Sequence, residues 1–162
     1  MTTDHMKPIL SFILTLSIAS LSAQSVKQDK MEALSFMVGE WVGTSTLFVD
    51  GEISRQVPAF ERISYDLDSS IIVIELNSET LKLHTIIRYD QEDNTYYYHA
   101  FSERSAGKLP ASMIDGRFVV QATADKRYIF ERTGENSFRE FGEQRKDGGW
   151  VKYFEDTFTD TR

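Results

Sequence analysis

Cysteine is absent from the chain. Disulfides, thiolate metal sites, cysteine nucleophiles and lipidated cysteines are therefore excluded. Histidine is scarce at three residues, and positions 100–162 contain none. Basic charge is short as well: 18 Lys and Arg stand against 25 Asp and Glu, for a formal net charge of −7. Nucleic-acid binding leans on clustered Lys and Arg, so nucleic acid is not an expected partner. Adhesion to an anionic membrane surface is disfavoured for the same reason. The usual catalytic signatures are missing too: no G-x-S-x-G, H-E-x-x-H, P-loop or dinucleotide glycine pattern occurs. No internal repeat, low-complexity tract or linker divides the 162 residues, a length that fits one domain.

The long apolar run stands at the N-terminus. Met1 to Lys7 is a short polar start with one Lys, Ile9 to Leu21 is apolar apart from Ser and Thr, and Ser20-Leu21-Ser22-Ala23 supplies small residues before Gln24. That is the three-part plan of a signal peptide, with cleavage expected after Ala23. The run is shorter than the roughly 20 residues that a spanning helix needs. Residues 1–23 are set apart from the fold on this reading, and no stable membrane span remains after cleavage. The mature chain is expected to be exported, to the periplasm or the exterior of a bacterial cell.

Residues 24–30 are polar and read as a flexible lead-in. Met31, Leu34, Met37 and Val38 then fall at helical spacing, and Gly39 stops that pattern. From Trp41 the period changes to two. Ten strands are expected: 41–49, 55–67, 70–77, 83–89, 95–101, 111–114, 117–123, 126–133, 137–145 and 150–159. Asp50-Gly51 and Asp115-Gly116 are strong two-residue hairpin signals. Pro58 calls for a bulge or an edge position. A meander of this kind removes its edges by closing on itself. The expected fold is all-β, an antiparallel up-and-down β-barrel of about ten strands with a short N-terminal helix, filling residues 31–162. A two-sheet sandwich is the structural alternative.

Phe36-Met37-Val38-Gly39-Glu40-Trp41-Val42-Gly43 is the most distinctive stretch. A short apolar helix leading into G-x-W-x-G at the first strand resembles the calycin-like barrels. That group comprises lipocalins, fatty-acid-binding and nitrobindin-like proteins, and related bacterial secreted domains of unknown function (the DUF1579 type). The resemblance extends over most of residues 31–160. In physical terms, Gly39 lets helix turn into strand, Trp41 plugs one end of a barrel, and Gly43 permits close packing. These are fold signals, not chemistry. The resemblance implies an interior able to hold a small ligand. Nitrobindin-like barrels hold haem through a histidine near the C-terminus, and here the last histidine is His99. No haem or other cofactor is therefore expected.

The hairpin 83–101 carries the most polar chemistry. A turn centred on Glu92-Asp93 sets 88 opposite 97, 86 opposite 99 and 84 opposite 101. One face then carries His84, Ile86, Arg88, Tyr97, His99 and Phe101, and the other Leu83, Thr85, Ile87, Tyr89, Tyr96, Tyr98 and Ala100. If the first face points inward, His84, Arg88, Tyr97, His99 and Phe101, together with Trp41, line a ligand site, and Arg88 is placed to take a carboxylate. If it points outward, it is polar wall. Two histidines are too few for a zinc site.

Carboxylates are frequent: Glu61, Asp66, Glu75, Glu131, Glu140, Glu143, Glu155 and Asp156. Alternation with apolar residues assigns most of them to a solvated outer wall. Glu75 is the exception, because it interrupts the apolar run 71–76: it stands either at the strand end in water or buried and paired, with Arg88 or another basic residue as partner. Tyr96, Tyr97 and Tyr98 must alternate between faces and form no single stacking platform. Three functions fit these features. The favoured one is a binding module for a small apolar or amphipathic ligand. A filled structural barrel is the alternative, and a hydrolase-type enzyme using His84 and His99 comes last. Oligomeric state is not readable from the residues.

Overall fold

The structure, a computed structural model, describes residues 26–162. The expected signal peptide lies outside the described residues. Ten strands follow one another: β1 (Gly39–Val49), β2 (Glu52–Asp66), β3 (Ile71–Ser78), β4 (Lys82–Asp90), β5 (Thr95–Phe101), β6 (Ala106–Ile114), β7 (Arg117–Thr123), β8 (Lys126–Gly134), β9 (Ser137–Lys146) and β10 (Gly149–Asp160). Each pairs antiparallel with its chain neighbour, and β1 also pairs with β10, so the sheet is a closed barrel. The expected barrel is what forms, and the sandwich is not. Among the described residues no helix is long and apolar enough to cross a membrane.

The turns follow from sequence. Asp50-Gly51, Asp115-Gly116 and Asp147-Gly148 all place both central residues at positive φ. That is the tight turn whose twist matches two antiparallel strands. Pro58 lies opposite Thr44 of β1. The pairing of β2 with β3 begins one residue later, at Ala59. Pro58, which lacks an N–H to donate, therefore sits where β2 has outrun β3 and has an open edge.

The N-terminal segment starts helical earlier than its spacing indicates. Residues 26–32 are α-helical and Ser35–Met37 form a 3-10 turn. Met31, Leu34 and Met37 are completely buried. They press into one end of the barrel, against a ring of aromatic side chains. Two tyrosines of the wall hold this plug by its backbone: Tyr96 Oη donates to the Lys30 carbonyl at 2.7 Å, and Tyr65 Oη to the Met31 carbonyl at 3.3 Å. Helical carbonyls at a chain turn would otherwise lack partners.

Trp41 completes the plug as expected. It is 3% exposed. Its indole N–H donates to the Met37 carbonyl at 2.7 Å, and its ring meets Phe138 edge-on at 4.7 Å. Gly43 serves a different neighbour from the one its spacing points to. A Cβ there would lie 1.8 Å from the Thr157 carbonyl oxygen and 2.9 Å from the Phe158 ring. The glycine lets β10 close onto β1, whereas the glycine that makes room for Trp41 is Gly39, whose Cβ would meet the indole at 3.2 Å.

Two substitutions test this plugged end. Trp41→Ala removes a fully packed aromatic and should lower unfolding free energy by about 3–5 kcal/mol. Gly43→Ala, a single methyl, should be at least as damaging because it strikes backbone. Denaturant midpoints decide the matter: a Gly43→Ala protein as stable as wild type removes the close β1–β10 approach.

Candidate functional site

The hairpin β4–β5 forms in the expected register. His84 pairs with Phe101, Ile86 with His99 and Arg88 with Tyr97. The face assignment decides what they do. Thr85, Ile87, Tyr89, Tyr96 and Tyr98 are buried, and Leu83 and Ala100 are half-buried, so this face points inward. His84, Arg88, Tyr97, His99 and Phe101 stand on the outer wall. As liners of the interior these five are corrected. Trp41 is interior but belongs to the plug.

On the outside these groups make ordinary surface contacts. Arg88 pairs with Asp90 at 2.9 Å. Lys108 and Arg88 sit over the Tyr97 ring at 3.7 and 5.3 Å. Burial, with help from the Arg88 and Lys108 charges, lowers the His99 pKa. His84 is exposed, next to Glu75 across β3–β4. Glu75 is half-exposed and finds its base in Arg62 at 3.6 Å.

The interior has two halves. The plugged half is solid, packed by Trp41, Phe118, Phe130, Phe138 and Phe158 around the helix. The other half is a cavity of about 710 Å³. Its walls include Leu47, Leu83, Ala100, Leu109, Tyr128 and Phe154, and its mouth carries Leu81 and Lys126. Leu47 and Leu81 are 39% and 44% exposed, so the rim is apolar and open. A bulge in β10 after Lys152 shifts the register against β9. This irregularity lets two consecutive residues, Tyr153 and Phe154, both face the cavity. Gly142 accommodates them, since a Cβ there would lie 2.3 Å from the Phe154 ring and 2.6 Å from Tyr153.

Three carboxyl groups stand in this interior. Glu61 on β2, Glu140 on β9 and Asp156 on β10 are 1%, 8% and 3% exposed. For these three the assignment to a solvated wall is overturned, whereas Asp66, Glu75, Glu131, Glu143 and Glu155 are not buried. Glu140 and Asp156 are cross-strand partners and both line the cavity. Burial raises the pKa of each of the three. Glu61 is pushed up to about 8, by burial and then by the Asp156 charge. Glu140 is raised well above its ordinary value by burial, by Glu61 and Asp156, and by its own hydrogen bond to Asp156. Asp156 is raised by burial, while hydrogen bonds from Ser45 and Glu140 oppose the shift. Asp156 is thus the acceptor and Glu140 the proton holder, and the three titrate as a unit. One oxygen of Glu61 and one of Asp156 have no hydrogen-bond partner. Thr85 donates to the Tyr98 hydroxyl at 3.4 Å beside the cluster, and Tyr153 donates to Tyr128. Lys126 is the one cation lining the cavity among the described residues, and it lies over the Tyr153 ring at 4.6 Å.

A period-two signal for these acids is present in the sequence. Asp156 lies between Phe154 and Phe158, Glu61 between Ala59 and Ile63, and Glu140 two residues after Phe138. Each occupies a position where the alternation calls for an apolar side chain. Among the described residues no group of three or more His, Cys, Asp or Glu is arranged to hold a metal ion.

No family model matches the chain, so nothing ties it to the DUF1579 type. No curated protein matches it either. Among solved structures it is similar to an S-type phycobiliprotein lyase from Guillardia theta. The TM-score is 0.52 at 14% identity, over 81% of this chain and 92% of that one. A likeness at this identity shows the fold alone. The closed ten-strand barrel fits the calycin-like architecture.

The buried acids set a pH dependence. In the unfolded chain they ionise near pH 4–5, while the fold retains their protons to higher pH. Their stabilising effect is therefore complete below the unfolded values and is lost as pH rises through the raised ones. At about 1.4 kcal/mol per unit, Glu61 alone, moved from 4.5 to about 8, withdraws on the order of 5 kcal/mol. Urea unfolding should show stability falling from about pH 5 to about pH 8, with Glu61→Gln flattening the slope and raising stability at the upper end. A flat or rising wild-type profile over that window would contradict the burial of these groups.

Proposed function

We propose that the chain is a binding protein whose half-open barrel takes up one small amphipathic molecule. The observation that carries this reading is the division of the interior. One half is packed solid, and the other is a 710 Å³ cavity with mostly apolar walls, an apolar rim and two buried acids, Glu140 and Asp156, in its lining. Mostly apolar concavities of that size with a few convergent polar groups are the usual form of small-molecule sites. The barrel shared with the phycobiliprotein lyase supports the reading only through its shape. A filled structural barrel accounts for the plugged half but not for the open one. Catalysis by His84 and His99 lacks support, because the two stand on the outer wall away from the cavity.

We place this activity outside the cytoplasm, on the strength of the N-terminal pattern. Cleavage after Ala23 leaves the plug helix at 26–32 whole, as a folded exported barrel requires. Mass determination of the protein recovered from the producing cells should give a chain starting at or within a residue or two of Gln24. Retention of residues 1–23 on the mature protein would sink the export reading.

The binding reading is tested with Nile red, a neutral apolar dye that brightens when it leaves water. It should bind one per chain, and Ala100→Trp, which fills the cavity from its wall, should weaken binding at least about tenfold. Unchanged dye binding in the Ala100→Trp protein, with its fold intact by circular dichroism, places the dye elsewhere and overturns the proposal.

A further inference from the structure

The cavity has a chemical polarity that its size does not require. Among the described residues its floor gathers acids and hydroxyls, while the one cation in its lining, Lys126, sits at the mouth. Asp156 faces the cavity, is 3% exposed, and keeps one carboxyl oxygen without any hydrogen-bond partner. Glu61, 1% exposed, likewise keeps one oxygen unpartnered. Buried acceptors in this state are costly, and native interiors rarely retain them without a use. Apolar side chains of the same shape would be more stabilising at all three acidic positions. The missing partner must donate hydrogen bonds, and a donor that is also positive satisfies a carboxylate best.

We infer that the molecule held in the chamber carries a protonated amine, which enters head-first and is bound by Asp156 with Glu140 beside it. This deepens the binding reading above and rests on it. The aromatic walls suit the same ligand. Tyr98, Tyr128, Tyr153 and Phe154 surround the approach, and ring faces attract cations. Lys126 at the rim faces the opposite end of the guest and repels a second positive group there, so a monoamine with an apolar or aromatic tail is favoured over a diamine.

Entry of the amine is coupled to a proton. The acids facing the head are Glu140 from β9 and Asp156 from β10, with Glu61 from β2 buried behind them and coupled to both by charge. Tyr98 from β5, Tyr128 from β8 and Tyr153 from β10 stand around them, and Glu155 adds its negative charge to Asp156 from the outer side. Glu61 and Glu140 hold protons above the ordinary carboxylate range because burial and the neighbouring acids oppose ionisation and no cation compensates them. When an ammonium group docks, a carboxyl O–H ionises, its proton passes to solvent, and an ammonium–carboxylate pair takes its place. Affinity for the amine therefore rises as pH increases from about 6 to about 8, opposite to the trend in stability.

Tryptamine, tryptophol and indole-3-acetate form a matched set with one aromatic body and a cationic, neutral or anionic head. Isothermal titration of the purified protein should rank tryptamine first by at least about tenfold over tryptophol, with indole-3-acetate weakest. Repeating the tryptamine titration near pH 7 in buffers of different ionisation enthalpy should reveal proton release, a readout that needs no variant. Asp156→Asn and Glu140→Gln should each bring tryptamine affinity down towards that of tryptophol while leaving tryptophol itself nearly unchanged. Equal affinity for tryptamine and tryptophol, no proton release, or an amine preference that survives in both variants overturns the amine assignment. If tryptophol and Nile red still bind in those cases, the chamber reading stands without it. If neither binds, both fall.

Discussion

Ten strands enclose more space than their own side chains fill. Barrels of about eight strands are the size at which inward residues just meet across the axis. Beyond that, something must be added or a hollow remains. Here the addition is local. The helix at 26–32, the 3-10 turn and Trp41 occupy one end, fixed by the hydroxyls of Tyr65 and Tyr96 and by the indole N–H. Nothing equivalent occupies the other end among the described residues. The position of the chamber, its single apolar mouth and the depth of its floor all follow from that one-sided filling.

The acids at the floor oppose the fold that holds them. Glu61, Glu140 and Asp156 are removed from water with no basic group among them, so the pKa of each is raised above that of a free carboxyl. Solvent-facing carboxylates of the same chain behave differently. Glu143 pairs with Arg127 at 2.7 Å, and Glu131 and Glu155 share Arg139. These outer acids of β8, β9 and β10 are thus neutralised by arginine and lysine, while the three inner ones have no ion-pair partner among the described residues. That contrast, within single strands such as β9 and β10, separates acids balanced inside the fold from acids left unbalanced at the proposed site.

Strand number, turns and hairpin register were legible because they depend on local chemistry. Asp-Gly pairs dictate their turns, and the turn at residues 91–94 fixes His84, Ile86 and Arg88 against Phe101, His99 and Tyr97. The inward face was not legible, because both faces of that hairpin mix aromatic, aliphatic and polar groups. Strand β9 hides its acid in another way. Phe138 points in, whereas Phe141 points out into a small outer cluster with Val119 and Ile129, covered by Arg139 and Lys152 at 5.1 and 4.9 Å from its ring. With phenylalanines of both parities, Glu140 reads as surface. In β10 the bulge at Tyr153 reverses the alternation midway. The helix start was misplaced because Lys27, Gln28, Asp29 and Lys30 carry no apolar stripe, and the segment is held by backbone carbonyls instead.

Nine of the ten seams in the wall join strands that are adjacent in the chain, and the tenth joins its two extremes, β1 and β10. Hairpins assemble quickly, whereas a contact between chain ends waits for nearly everything between them. Until then the ribbon has two bare edges, the state most open to pairing with another molecule. The strand that completes the seam also delivers Asp156. A chain lacking its last dozen residues would therefore be sticky at its margins and would leave Glu140 without Asp156 opposite it, so the wall and the acid pair of the cavity are completed in the same step.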